Sequence, residues 1–214
     1  MRAVLFINGE VAQPQSLRNI FEIGDTLVSV DGGMRHLKAL DLLPQIVIGD
    51  MDSIDAESLS TLEQGGTEIL RYPAEKDQTD FELALDILAD RGFDEILVIG
   101  ALGGRVDQAL ANIWLLAERS QPGFSISFDD GCEQVFLIQN KLTLKGQKGD
   151  QVSLIPYQSP VQGIITEGLE YPLNNETLFP EKTRGLSNVL IGEQAQISIK
   201  SGRLLCIHRS ESAC

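Results

Sequence analysis

The first 130 residues alternate short apolar runs with segments of helical periodicity. In segment 81–91, for example, Phe81, Leu85 and Leu88 fall on one face of a helix. We predict strands at 3–7, 27–30, 46–48, 68–70, 96–99 and 124–128, and helices at 34–40, 56–64, 81–91 and 108–118. Such alternation is typical of an α/β domain with a mostly parallel sheet and helices on both faces.

After about residue 130 the helical periodicity disappears and short β-like runs follow one another. We predict strands at 134–138, 142–144, 151–155, 163–166, 189–191, 196–199 and 204–208. Turn residues separate them, among them Gly146, Gly149, Pro156, Asn174-Asn175, Gly192 and Ser201-Gly202. This pattern predicts an antiparallel β-sandwich. We therefore expect two domains, 1–130 and 131–214.

The charge and apolar content limit the possible partners. The formal net charge is −14, which argues against nucleic acid and anionic membranes as partners. No apolar run reaches the length of about 18 residues that a membrane helix needs, and the first ten residues do not resemble a secretory signal. The three cysteines form no CxxC pair, so we expect neither a disulfide framework nor a zinc site. A cytoplasmic location is the expectation.

Acidic residues follow four predicted strands in succession. In open parallel sheets, ligands bind beyond the carboxyl ends of the strands, so these loops should meet at one edge. The four loops contain, in chain order, Asp31-Gly32-Gly33, Gly49-Asp50-Met51-Asp52-Ser53, Lys76-Asp77-Gln78-Thr79-Asp80 and Gly103-Gly104-Arg105-Val106-Asp107.

Six aspartates at one edge would repel one another. Two such charges about 4 Å apart cost about 4 kcal/mol at an effective dielectric constant of about 20. A bound cation would offset this repulsion, and carboxylate ligands favour a hard ion, Mg²⁺ first. The alternative is that Asp50, Asp77 or Asp107 simply caps the helix that follows it.

Glycines in two of these loops suggest phosphate binding. Gly32-Gly33 and Gly103-Gly104 would leave backbone N–H groups accessible at helix N-termini, where phosphate oxygens bind. Arg105 beside them could grip a phosphate with two hydrogen bonds, although a surface ion pair is the alternative for this residue. Lys76 could assist or could be a solvated lysine.

Several enzyme classes lack their motifs here. There is no GxxxxGK[ST] phosphate loop, no GxGxxG after the first strand and no GxSxG. The two histidines, His36 and His208, lie far apart in sequence, and we expect both to be structural. A metal-dependent phosphohydrolase and a non-catalytic nucleotide-binding sensor stay open as alternatives to a group-transfer enzyme.

Taken together, five motifs resemble the thiamine pyrophosphokinase family. In order and approximate spacing these are Asp31-Gly-Gly, Gly49-Asp-x-Asp-Ser, Lys76-Asp-x-Thr-Asp, Gly103-Gly-Arg-x-Asp and Gly185-Leu-Ser-Asn. The resemblance implies that ATP and thiamine react to give thiamine diphosphate and AMP. It also implies a homodimer with thiamine sites where two subunits meet. Residues 1–130 would then be the nucleotide- and metal-binding catalytic domain, and 131–214 the thiamine-binding domain.

The resemblance also implies roles for individual residues. Asp50, Asp52, Asp77 and Asp80 would be the magnesium-associated set, with Asp80, or else Asp77, accepting the proton of the thiamine hydroxyl. Arg105 would act in catalysis. The nucleotide and its phosphates would contact Asp31, Gly32, Gly33, Gly104, Arg105 and Asp107. Ser187 and Asn188 would face the pyrimidine ring of thiamine.

One position departs from the family pattern. Many relatives have His after the last aspartate of the Gly103-Gly-Arg-x-Asp motif, whereas this chain has Gln108. A glutamine can form hydrogen bonds but cannot carry a proton, which argues against an acid–base role there.

Overall fold

The structure, a computed structural model, describes residues 1–11, 14–52, 54–73, 75 and 77–211. The chain divides into two compact units, Met1–Gly131 and Cys132–Cys214, called the first and second unit below.

The first unit contains six parallel strands in the order β6-β5-β1-β2-β3-β4. The strands are β1 (Arg2–Phe6), β2 (Thr26–Val30), β3 (Ile46–Gly49), β4 (Glu68–Arg71), β5 (Glu95–Ile99) and β6 (Ser125–Asp129). In the central strand β1, Leu5 pairs with Val28 on one side and Val98 on the other. Its last four residues are buried, because helices cover both faces of a parallel sheet.

In the described part of the chain, four α-helices, a 3-10 helix at Pro14–Asn19 and a single 3-10 turn at Asp31–Gly33 connect these strands. The α-helices are α1 (Met34–Leu40), α2 (Ala56–Gln64), α3 (Asp80–Asp90) and α4 (Val106–Arg119). The 3-10 helix, α1 and α2 share one apolar cluster with Val4 and Phe6 of β1, whereas Phe81 of α3 packs edge-on against Phe128 of β6. No helix in the described part of the chain is long and apolar enough to cross a membrane.

The second unit is an antiparallel β-sandwich. One sheet has the order β12-β9-β14-β7 and the other β11-β10-β13-β8. The strands are β7 (Glu133–Ile138), β8 (Lys141–Lys145), β9 (Gln151–Pro156), β10 (Val161–Glu167), β11 (Asn174–Leu178), β12 (Asn188–Val189), β13 (Gln194–Ser198) and β14 (Leu204–Arg209). Alternate residues of both sheets form one buried cluster, including Leu154, Ile164 and Ile197. The predicted fold class is confirmed.

Two expectations about this unit are wrong. Asn174-Asn175, which the sequence suggested as a turn, begins β11, an edge strand whose register against β10 is irregular. Cys132 is disulfide-bonded, which the spacing of the cysteines did not indicate. Cys206 is a buried free thiol, and burial raises its pKa to about 12.

Candidate active site

The carboxyl ends of the first unit's strands enclose a cavity of about 520 Å³. In open parallel sheets, ligands bind beyond the carboxyl ends of the strands, a principle called the strand-end rule below. The cavity lies where this rule predicts a ligand site. Four segments line it: the loop after β1, the end of β2 with α1, the start of α3, and the loop after β5 with α4. Its polar side chains are Asn8, Glu10, Asp31, Arg35, Thr79, Asp80, Arg105, Gln108 and Asn112, and its glycines include Gly9, Gly103 and Gly104.

Glycines allow these loops to touch backbone to backbone. A Cβ on Gly9 would lie 1.9 Å from the carbonyl oxygen of Gly100, and one on Gly33 would lie 2.0 Å from that of Phe6. Gly33 therefore serves close packing and does not line the cavity, and neither does Gly32. Gly104 does line it, with a φ of +93° that favours glycine.

The acids after β2 and β3 lie on neighbouring strand ends. Asp31 lines the cavity, and its Oδ1 is 2.3 Å from the position that a Cβ on Gly49 would occupy. Its carboxylate therefore lies against the end of β3, immediately before Asp50. The Oδ1 of Asp50 accepts a hydrogen bond of 2.9 Å from the backbone N–H of Asp52, whose side chain is exposed.

Of the two acids near the start of α3, one lines the cavity and the other does not. Asp80 is the first residue of α3 and lines the cavity, next to Thr79, whose hydroxyl caps the helix by accepting the N–H of Glu82. Asp77 is exposed and does not line it. Lys76 and Ser53 lie outside the described residues. Among the described residues, no three His, Cys, Asp or Glu side chains gather as a metal ligand set.

Arg105 and Asp107 form an exposed, two-pronged ion pair at the start of α4. The Nε of Arg105 donates to Oδ1 of Asp107 at 3.0 Å, and its Nη2 donates to Oδ2. These hydrogen bonds lower the pKa of Asp107 and raise the pKa of Arg105. Arg105 lines the cavity and Asp107 does not, and the Asp107 carboxylate holds the Arg105 guanidinium.

The loop after β1 and the residues that brace it were missed from the sequence. The Nη2 of Arg35 donates to the carbonyl oxygens of Asn8 and Gly9, at 2.8 and 2.7 Å. The Nε2 of buried His36 lies 2.8 Å from the same Gly9 oxygen. Burial lowers the pKa of His36 and Arg35 lowers it further, against hydrogen bonds to the Gly9 and Ile7 backbone that raise it. The strand-end rule, applied to β1 as well, would have found this loop.

The second unit has a smaller cavity of about 170 Å³. It is lined by Leu154, Tyr171, Pro172, Leu173, Arg184, Gly185, Leu186 and Asn188. Asn188 is buried, and its side chain bonds to the backbone of Tyr171. Ser187 is exposed with a φ of +58° and does not line the cavity; its N–H donates to the hydroxyl of Ser153 at 3.1 Å.

Both units match models of known domains. Residues 17–128 match the catalytic domain of thiamin pyrophosphokinase, and residues 139–204 match its vitamin B1 binding domain. Thiamine pyrophosphokinase of Bacillus subtilis is 31% identical over 186 residues, which cover 86% of this chain and 87% of that protein.

Solved structures agree with these matches. The crystal structure of the Bacillus subtilis enzyme superposes with a TM-score of 0.86 and 25% identity, over 99% of this chain and 100% of that one. Thiamin pyrophosphokinase from Geobacillus thermodenitrificans gives 0.82 and 29%, over 100% of both chains. The resemblance seen in the motifs is confirmed, and the chain belongs to the thiamine pyrophosphokinase family, enzymes that make thiamine diphosphate.

Proposed function

We propose that the cavity of the first unit binds ATP with Mg²⁺, and that the enzyme transfers the pyrophosphate group of ATP to the hydroxyl of thiamine. The observation that carries this assignment is the composition of the cavity wall. Two arginines, three acidic residues and four glycines line this cavity at the strand ends. In a chain of net charge −14, these are the groups expected around a metal–polyphosphate complex.

Arg105 is the main phosphate-binding side chain in this proposal, with Gly104 and the Asp107 region beside it. Its ion pair with Asp107 is fully exposed, so water screens the attraction and a phosphate can compete for the guanidinium. A guanidinium also matches two phosphate oxygens at once, which a lysine cannot do. Asp31 would contribute from the neighbouring strand end, whereas Gly32 and Gly33, which do not line the cavity, would shape the turn that follows Asp31.

The carboxylates suit Mg²⁺ if the phosphates and water supply most of its ligands. Magnesium bound in this way needs only one or two protein carboxylates, so a preformed set of three is not required. Asp50, Asp52, Asp77 and Asp80 are the residues that would hold it. When bound, it would neutralise charge on the phosphates.

The proton of the acceptor goes to a carboxylate. The thiamine hydroxyl oxygen attacks the β-phosphorus, the bond from that phosphorus to the α–β bridging oxygen breaks, and AMP leaves with the electron pair. Asp80, which lines the cavity, accepts the hydroxyl proton, with Asp77 as the second candidate. In phosphoryl-type transfers such a base contributes less than positioning and charge stabilisation.

Thiamine binding belongs to the second unit in this proposal. The match to a vitamin B1 binding domain includes Ser187 and Asn188, the residues that the motif assigns to thiamine. We further propose that the enzyme is a cytoplasmic homodimer in which two subunits share each thiamine site.

Product analysis tests the proposal. With ATP, Mg²⁺ and thiamine, mass spectrometry should find AMP and thiamine diphosphate forming in equal amounts. Accumulation of ADP and thiamine monophosphate would contradict the attack on the β-phosphorus. A phosphohydrolase would consume ATP without thiamine, and a sensor would bind ATP without turnover, so omitting thiamine separates both alternatives.

A further inference from the structure

An ion-pair network joins α3 and α4, two helices that contribute residues to the cavity wall of the first unit. Arg119, the last residue of α4, donates from Nη1 to the Oδ1 of Asp86 at 2.6 Å and from Nη2 to the Oε1 of Glu82 at 2.8 Å. Glu82 and Asp86 lie one turn apart on α3, where two carboxylates repel each other. The guanidinium between them offsets that repulsion and holds the Asp86 side chain.

The second carboxylate oxygen of Asp86 holds the loop that precedes α3. The Oδ2 of Asp86 accepts a hydrogen bond of 3.0 Å from the Nε2 of Gln78. Gln78 lies in the sequence between Asp77 and Asp80, two of the acids that the proposed function assigns to the metal. A hydrogen bond to a charged acceptor is stronger than one between neutral groups. The contacts from Arg119 to Asp86 and from Asp86 to Gln78 therefore tie the backbone between these two acids to α3.

The residues of this network act on the site only through other residues. Gln78, Asp86 and Arg119 do not line the cavity. Helix α4 has 14 residues, so Arg119 lies about 20 Å from the end of the helix where Arg105 lines the cavity. Any effect of Arg119 or Asp86 on ligand binding must therefore pass through the loop that Gln78 belongs to.

The two acids of this loop differ in how the fold holds them. Asp80 is the first residue of α3, and the hydroxyl of Thr79 caps that helix. Asp77 precedes the cap and is exposed, so the Gln78 side chain supplies a further constraint on its side of the loop. Magnesium demands near-ideal octahedral geometry, which makes its affinity sensitive to the placement of its carboxylate ligands.

We propose that Gln78, Asp86 and Arg119 are positioning residues, which hold the loop that contains Asp77 and Asp80 in the geometry that binds Mg²⁺ together with the nucleotide phosphates. The proposal rests on the proposed function, which assigns the two acids to the metal.

Manganese binding tests this role without turnover. Electron paramagnetic resonance would follow Mn²⁺ titrated into the full chain with α,β-methylene-ATP and no thiamine. Gln78→Ala and Asp86→Ala should each raise the Kd for Mn²⁺ about fivefold, below the loss of roughly 10-fold to 100-fold that is typical when a direct partner of a metal ligand is removed. Glu68→Ala is the matched control, because Glu68 pairs with Arg91 at the other end of α3; its Kd should stay within about twofold. Unchanged Kd in both Gln78→Ala and Asp86→Ala would overturn the proposal.

A double-mutant cycle tests whether Asp86 acts through Gln78. Gln78→Ala removes no charge, so its effect cannot come from the field of a lost carboxylate. In the Gln78→Ala background, Asp86→Ala should have no more effect than Glu68→Ala has in the unaltered protein, and Arg119→Ala should have none. If the losses from Gln78→Ala and Asp86→Ala multiply, the two residues act separately and the proposal is wrong. If Asp86→Ala does not fold, Asp86→Leu replaces it, because leucine keeps more of the packing and cannot accept a hydrogen bond.

Hydrogen exchange without metal or nucleotide tests the loop itself. The backbone amides of segment 77–80 should exchange faster in Gln78→Ala and Asp86→Ala than in the unaltered protein, while those of the second unit should not change. Equal exchange of segment 77–80 in all three proteins would overturn the positioning role. If the unaltered protein neither binds Mn²⁺ with the nucleotide nor converts thiamine, the proposed function fails and this inference with it. If it does both and the two variants behave identically to it, only this inference fails.

Discussion

At the scale of the residue, several acidic side chains of the first unit lie in or near the cavity at the strand ends. Asp31 lies against the end of β3, Asp50 receives the N–H of Asp52, and Asp80 lines the cavity. All three side chains are only partly buried, so replacing them should affect ligand binding and turnover more than folding.

Replacing either Asp52 or Asp80 by Asn should lower kcat at least about a hundredfold, because in the proposed site each change would remove a charge that positions metal or substrate. The melting temperature should stay the same or rise, since repulsion between the acids falls. Asp90→Asn is the matched control, because Asp90 is the exposed last residue of α3, the helix that Asp80 begins. Near-normal kcat in both Asp52→Asn and Asp80→Asn would remove these residues from the mechanism.

Arg105→Lys should raise the KM for ATP about tenfold, because an ammonium cannot reproduce the two-pronged contact of a guanidinium with phosphate. Arg91→Lys provides the control: Arg91 makes a similar paired contact with Glu68, at 2.6 and 2.8 Å, but does not line the cavity. Steady-state kinetics should show KM unchanged for Arg91→Lys. Equal KM values for the two variants would exclude Arg105 from phosphate binding.

At the scale of the element, the cavity depends on how closely the loops after β1 and β5 approach each other. Gly9→Ala would place a methyl group 1.9 Å from a backbone oxygen that cannot move by a rotamer change. We expect a loss of about 1–3 kcal/mol in the free energy of unfolding, measured with urea, together with reduced turnover.

Gly192→Ala is the control for this loop contact, because a Cβ there meets nothing within 4 Å and the residue does not have a positive φ. Its unfolding free energy should change by less than about 0.5 kcal/mol. If Gly9→Ala were equally harmless, the two loops would not be held in contact.

The elements that the sequence predicted best are those with local signals. The predicted helices at 34–40 and 56–64 match α1 and α2 residue for residue, and their ends have local causes: Asp55 caps α2, and Asp41 ends α1 with a φ of +58°. The strand β11 has a polar sequence and forms by pairing with β10, so its own residues did not indicate it.

The sequence predicted those parts of the site that follow directly after a strand. The rule located Asp31, Asp80, Gly104 and Arg105, which do line the cavity. The same rule also covers the loop after β1, a parallel strand that lies between β2 and β5. Arg35, which contacts that loop, could not be identified in this way, because the contact joins residues that are far apart in sequence.

At the scale of the whole molecule, the proposed homodimer, in which two subunits share each thiamine site, predicts subunit complementation. A chain with Ser187→Ala and Asn188→Ala, mixed with an Asp80→Asn chain, should regain up to about a quarter of normal activity after random exchange, since half the dimers would be mixed and each would have one intact site of two. Mass measurement of the mixed dimer is the control for exchange. No recovery after proven exchange would contradict a shared site.

The ion pair between Arg105 and Asp107 would also affect product release in the proposed site. The guanidinium of Arg105 already has a carboxylate partner, so in the proposed site an arriving phosphate would have to exchange with Asp107. The free energy gained on binding would then be the difference between the Arg105–phosphate pair and the Arg105–Asp107 pair. Phosphate would therefore bind more weakly than it would to an arginine without a carboxylate partner. The same carboxylate can return as the product phosphate departs, which lowers the barrier to dissociation. In the proposed site, the Asp107 carboxylate would therefore weaken phosphate binding and speed the release of product.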